Sequence, residues 1–262
     1  MDMNYKDKIA LITGSNSGGL GTTIATQLAE HGAKGIILTG RSKTGETEKI
    51  IDRIQKLGTE VIFVTADLKI PDECKSLIEK IDKHFGKVDG LVNSAGLTSR
   101  GTIENTSVEL WDEHFAINVR APFLLMQGCI KIMQREKMAG SIVNIITQSA
   151  HGGQPFLTPY STSKGALVTL TRNVAHSQRI HKIRVNAIMP GWMDTPAEHA
   201  IQKSYHHAPD NWLELAEAKQ PMEKLIQPAE LSRLATYLLS DDSGVITGSV
   251  IDYDQNVHGG YD

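Results

Sequence analysis

The chain is poor in the devices that hold a fold together without a large core. It has only two cysteines, Cys74 and Cys129. Both fall inside helical patterns, so reduced, partly buried thiols are expected rather than a disulfide framework. No sign of charge dominates: the formal net charge is −3, with Lys and Arg scattered, and that excludes an obvious nucleic-acid footprint. No apolar run reaches the length of a membrane span. The opening MDMNYKDKIALITG is charged and then strand-like, without a signal core. No linker, low-complexity tract or repeat divides the sequence. With 262 residues, 40% of them apolar and 22% charged, the chain is expected to bury an adequate core as one cytoplasmic domain spanning residues 1–262.

What is present alternates. The runs KIALIT, KGIILT, EVIFVT, VDGLVN, GSIVNII, IRVNAIM and GSVIDY read as seven strands, near-continuously apolar and so buried on both faces. Between them lie helical segments with apolar spacing of three and four. Pro71 and Pro228 suit first helical turns, and Gly58 and Gly86 suit positions just past helix ends. This order predicts an α/β fold, a doubly wound parallel sheet with helices on both faces and ligands outside the carboxyl ends of the strands. Residues 192–227 break the rhythm and are expected to be irregular, forming a substrate-binding loop or lid.

Two stretches carry chemistry. After the first strand comes TGSNSGGLG, whose Gly14, Gly18, Gly19 and Gly21 precede an amphipathic helix. Glycines there let backbone amides approach a pyrophosphate at a helix N-terminus. The second strand ends in Gly40 and Arg41, where an NAD-binding fold places an acid against the ribose 2′-hydroxyl. Arginine suits a 2′-phosphate, so NADP is preferred, with NAD as the alternative. In TPYSTSKGAL, Tyr160 and Lys164 are four residues apart and share one helix face.

In order and spacing, the glycine motif, Ala66-Asp67, the NSAG of Asn93 to Gly96, Asn118, YSTSK and MPG resemble the short-chain dehydrogenase/reductase family. The resemblance runs through nearly the whole chain. It implies a single Rossmann domain, a dimer or tetramer, and hydride transfer between nicotinamide and an alcohol or carbonyl. It makes Tyr160 the acid/base and Lys164 the residue that holds the nicotinamide ribose and lowers the Tyr160 pKa. Asn118 would support a proton relay at a helix irregularity. Around the cofactor it places Gly14, Asn16, Gly18, Gly19, Leu20 and Gly21 at the pyrophosphate, with Arg41 and Ser42 beyond the second strand. Asp67 and Leu68 would lie along the adenine, and Asn93, Ala95 and Gly96 along the ribose. Pro190, Gly191, Met193 and Thr195 would line the nicotinamide.

The chain departs from the family pattern twice. The glycine loop is one residue longer, leaving open whether Gly18 or Gly19 takes the middle role. Thirteen residues before Tyr160, at the usual place of a catalytic serine, stands Thr147, with Ser149 as second choice or substrate contact. His151, Gln154 and Trp192 are further substrate-side candidates. Few large aliphatics occur there, which favours a sugar or polyol over a long acyl chain. A carbonyl or 3-oxoacyl reductase is the alternative enzyme, and an NADP(H)-binding redox sensor the alternative outside enzymes. No metal is expected, because His206 and His207 are adjacent and diverge on a helix. In the tail, Tyr253, Gln255 and His258 are expected at a subunit interface.

Overall fold

A computed structural model describes residues 3–257 of the chain; His258 lies outside them. The seven strands are β1 (Ile9–Thr13), β2 (Gly35–Gly40), β3 (Glu60–Thr65), β4 (Gly90–Asn93), β5 (Gly140–Ile145), β6 (Ile183–Pro190) and β7 (Val250–Tyr253). They form one sheet in the order β3-β2-β1-β4-β5-β6-β7, and every pairing is parallel. The strands are apolar throughout because each face meets a separate core. Alternate residues point to opposite sides of a strand. Ala10, Ile12, Ile36 and Leu38 therefore join one cluster, and Ile9, Leu11 and Ile37 the other.

The helices are α1 (Leu20–Glu30), α2 (Gly45–Lys56), α3 (Pro71–Phe85), α4 (Val108–Phe115), α5 (Ala121–Arg135), α6 (Thr158–Gln178), α7 (Pro196–Ser204), α8 (Trp212–Glu217) and α9 (Pro228–Leu239). Ile24 and Leu28 of α1 with Leu231 and Leu238 of α9 cover the first face. Leu77 and Ile81 of α3 with Leu125 and Cys129 of α5 cover the second. Both cysteines are free and buried. Burial alone pushes Cys129 up to about 12 and is the main cause that pushes Cys74 up to about 11, which leaves both as unreactive thiols. No helix among the described residues is long and apolar enough to cross a membrane.

Residues 192–227 are more ordered than the sequence suggests. They hold α7, capped by Thr195, whose hydroxyl accepts from Glu198 N at 3.1 Å, and then α8. Helix α7 buries none of its residues, so it leaves no apolar stripe to read. This segment is anchored by Trp212, Ala216 and Leu225, which form a small core of their own.

Sheet order reverses direction between β1 and β4, opening a crevice at their carboxyl ends. The loop after β1 closes one wall of it. Gly14 has φ +65°, and a Cβ on it would sit 2.8 Å from Ala95 Cα in the loop after β4. Thr13 Oγ1 locks the same approach by accepting from Ser94 N and Ala95 N, each at 3.0 Å. At Gly21 a Cβ would lie 2.6 Å from Gly14 O, so glycine there lets α1 pack on β1. Gly19 is different: it has φ −88° and open space around its Cβ position.

This contrast separates two glycines of one motif. Gly21→Ala should overpack the β1–α1 junction at a cost of about 1–3 kcal/mol. Its melting temperature should fall by several degrees at about 2–4 °C per kcal/mol. Gly19→Ser, at a helix N-cap that serine favours, should melt no lower than the parent. Thermal unfolding followed by circular dichroism would check this; an equal drop in both variants would contradict the packing assignment.

Candidate active site

A cleft of about 1360 Å³ runs along the carboxyl ends of the strands, from the glycine loop to α6 and α7. Its near end is a cradle of backbone. Gly14, Gly19, Leu20 and Gly21 line it, and α1 starts without an acidic residue in its first turn or a side-chain cap at Gly19. The first amides of α1 therefore lack an intrahelical partner and are available to an anion. Gly18 has φ +74° and lines a shallower groove on the outer side, between α1 and α9. The extra loop residue is thus absorbed by a left-handed glycine outside the cleft, while Gly19 and Gly21 face inward.

At the end of β2, Asn16 lies directly on Gly40: a Cβ there would be 2.5 Å from Asn16 Cγ. Asn16 is fixed in place, donating from Nδ2 to Ser42 O at 3.2 Å and accepting at its carbonyl from Thr47 Oγ1 at 3.0 Å. Ser42 itself does not line the cleft, whereas Arg41 does. Arg41 is exposed, and no ion pair holds it among the described residues. Asp67, Leu68, Ala95 and Gly96 continue the wall. Asn93 does not: it is 2% exposed, and its amide turns into the sheet to donate to Asn144 Oδ1 at 2.8 Å.

Tyr160 and Lys164 occupy the first turns of α6 and both face the cleft. Thr147 lies near enough to Tyr160 to pull its phenol pKa down and accepts from Ser149 N at 3.2 Å. The Ser149 hydroxyl donates to Gln154 Oε1 at 2.6 Å. Lys164 is 4% exposed, and its Nζ donates to Ile145 O at 2.8 Å. A Cβ on Gly96 would stand 3.4 Å from that Nζ, so glycine keeps the ammonium open to the cleft. Asn118 sits behind, fully buried, in a single π turn (Ala116–Arg120) between α4 and α5. It accepts from Leu97 N at 2.8 Å, and donates to Leu97 O at 3.0 Å and Ser163 Oγ at 2.9 Å.

The electrostatics differ from the expected tuning. Burial pushes the Tyr160 phenol up to about 12, against the lowering effects of the Thr147 hydrogen bond and the Arg100 charge. Burial brings Lys164 itself down to about 8. In the protein alone the tyrosine is therefore a proton donor.

The far end of the cleft is polar. Trp192 Nε1 donates to Glu198 Oε1 at 2.8 Å, and Gln202 Nε2 donates to the same oxygen at 2.7 Å. His151 Nε2 lies 3.2 Å from Asp252 Oδ1, tying the turn after β5 to β7. Arg100, Glu113 and Asn256 are among the lining residues that the sequence reading did not single out. The tail folds back into its own chain, since Gln255 Nε2 donates to Lys224 O at 2.7 Å and its Oε1 accepts from Met222 N at 2.8 Å. Nothing local in VIDYDQN signals that return. Among the described residues, no three His, Cys, Asp or Glu side chains form a metal-binding group.

Comparison with known proteins matches this geometry. A family model described as enoyl-(acyl carrier protein) reductase matches residues 14–260. An uncharacterized oxidoreductase of Thermotoga maritima is 34% identical over 252 residues, covering 96% of this chain and 98% of its own. The 3-oxoacyl-[acyl-carrier-protein] reductase FabG of the same organism is 28% identical, with the same coverage. The crystal structure of L-sorbose reductase from Gluconobacter frateurii, complexed with NADPH and L-sorbose, superposes with a TM-score of 0.90 at 27% identity and full coverage of both chains. The chain belongs to the short-chain dehydrogenase/reductase family and is an NAD(P)-dependent oxidoreductase.

Proposed function

We propose that the protein interconverts an alcohol and a carbonyl on a small hydroxylated substrate of the sugar or polyol class, with NADP(H) preferred over NAD(H). The observation that carries this reading is that Tyr160, Lys164 and Thr147 line the same cleft as the glycine cradle. A nicotinamide dinucleotide bound along that cradle supplies or accepts the hydride. Gly14, Gly19, Leu20 and Gly21 would hold its pyrophosphate, Asp67 and Leu68 its adenine side, and Pro190, Gly191, Met193 and Thr195 its nicotinamide end.

The protein's own groups handle the proton. In reduction, the Tyr160 hydroxyl donates to the carbonyl oxygen while the Thr147 hydroxyl orients that oxygen and steadies its developing charge. In oxidation, the phenolate takes the proton back. Lys164, held through Ile145 O, would offer its remaining N–H donors to the cofactor ribose. Asn118 fixes the loop at Leu97 against α6 and maintains the opening between them.

The NADP preference rests on the end of β2. Asn16 occupies the space over Gly40, so an acidic side chain for a 2′-hydroxyl has no room there, and Arg41 is uncommitted. The polar far end supports a hydroxylated substrate, as does the likeness to a sorbose reductase. The likeness to a 3-oxoacyl reductase keeps that activity as the second reading. We also propose a homodimer or tetramer, for which the exposed Val108 of α4 and Phe123 of α5 offer apolar surface, and a cytoplasmic location.

Three measurements test the reading. Cofactor reduction over a panel of aldoses, polyols and secondary alcohols should proceed with the parent and lose most of kcat in Tyr160→Phe, with cofactor affinity retained; full activity in the variant would remove the tyrosine from the mechanism. Arg41→Ala should raise KM for NADP by about tenfold or more, the scale of one lost charge-assisted fork, and leave KM for NAD nearly unmoved. Equal effects would show that Arg41 does not read the 2′-phosphate. The raised phenol fixes the pH behaviour. Reductive kcat/KM should stay level from about pH 6 to about pH 9, because the donor form persists, whereas oxidative kcat/KM should climb with pH as phenolate forms. An oxidative rate that is flat over that range would contradict the assigned base.

A further inference from the structure

Arg100 is the one cationic side chain at the substrate end of the cleft that the mechanism leaves unused. Its backbone is rigidly placed. The next residue, Gly101, accepts from Thr158 N at 3.0 Å and donates to Phe156 O at 3.0 Å. This two-bond bridge pins the loop after β4 to the segment entering α6, two residues before Tyr160. Arg100 therefore cannot drift away from the reacting end.

Its guanidinium is only half satisfied. Nη1 donates to Thr98 O at 2.8 Å. The Tyr205 ring covers the guanidinium, with Cζ 5.7 Å from the ring centroid. Nε is sheltered from water and has no acceptor, and no bond to Nη2 occurs among the described residues. With Nη1 occupied, a face covered and Nε shut off from solvent, Nη2 is the donor that remains free. A guanidinium N–H makes a strong charge-assisted hydrogen bond to a carboxylate oxygen. No acid lies in ion-pair range of Arg100 among the described residues. Glu113, which also lines the cleft, is held by Lys69 at 3.2 Å. Glu198 is bonded by Trp192 and Gln202, which leaves it an acceptor for substrate hydroxyls.

We propose that the substrate carries a carboxylate on its hydroxylated chain, held by Arg100 through Nη2, with hydroxyl groups read by Glu198 and the reacting carbon at Tyr160 and Thr147. A polyhydroxy acid of the aldonic or ketoaldonic class fits this arrangement. The assignment rests on the alcohol–carbonyl reading of the same site. The charge of Arg100 reaches Tyr160, consistent with the two groups sharing one substrate.

The test compares a six-carbon aldonic acid with the hexitol that carries CH2OH in place of its carboxylate, under identical cofactor conditions. The parent enzyme should favour the acid in kcat/KM by about tenfold or more, the scale of a charge-assisted pair. Arg100→Gln should abolish that preference, and Arg100→Lys, which keeps the charge but not the planar guanidinium, should restore part of it. Melting curves of each variant would confirm folding. Turnover of hexitol or simple ketones, dependent on Tyr160 but without acid preference, would overturn the carboxylate site and leave the oxidoreductase reading standing. Faster turnover of a phosphorylated hexitol would overturn carboxylate in favour of phosphate. Failure of every alcohol and carbonyl with cofactor bound would remove both.

Discussion

The buried ammonium of Lys164 is the interaction around which this site is organised. Taking a lysine charge out of water is expensive, and its lowered pKa records that cost. Because the folded value lies below the unfolded one, the unfolded chain binds more protons between about 8 and 10.5. The penalty is thus present below that interval and relieved as pH rises through it. One of three donors reaches Ile145 O at the end of β5. The others need a ligand, so part of the binding free energy of the cofactor is expected to offset a cost already built into the fold. Ser163, beside Lys164, continues the network by donating to Tyr160 O at 2.7 Å while accepting from Asn118. The π turn at Asn118 thereby connects α6 to the loop after β4. Loss of any one member loosens the surroundings of the others.

The fold was legible because the parallel sheet imposes a simple pattern. Each strand is covered on both faces, so each shows as an apolar run. Each helix end that mattered was marked by proline or by a glycine such as Gly86, left-handed with φ +70°. The pattern failed where packing was not amphipathic. Helix α7 has no buried residue, and α8 is secured mainly by Trp212, so 192–227 read as irregular. Helical spacing put Tyr160 and Lys164 on one face, but only the family resemblance gave them a role and pointed to Thr147, and the folded chain brings all three to one cleft. Asn93 could not be placed this way. The cleft wall begins at the next residue, Ser94, while the Asn93 amide is taken by Asn144 on the neighbouring strand.

The substrate end was less legible for a topological reason. Arg100, Glu198 and Asp254 come from two loops and a helix far apart in sequence, and their convergence depends on long-range contacts without local signature. The Gly101 bridge to Phe156 and Thr158 is one; the return of the tail through Gln255 to Lys224 is another. Loops at the carboxyl ends of a rigid sheet can vary without disturbing its core. The chemistry is therefore written in the strand ends and α6, and the specificity in segments whose positions only the folded chain reveals.

Charge balance links the two ends. Arg100 favours loss of the Tyr160 proton and Glu198 favours its retention, and both act on a phenol already raised by burial. A carboxylate seated on Arg100 would cancel the first influence and leave Glu198 unopposed. Substrate binding would then strengthen the proton-donating form of Tyr160 and bias the site toward reduction. Oxidised cofactor, whose nicotinamide ring is positive, would act in the opposite sense and favour phenolate. The protonation state of Tyr160 therefore depends on which charge enters the cleft beside it, and the fold's contribution is to bring Arg100 and Lys164 to that cleft with neither held in an ion pair among the described residues.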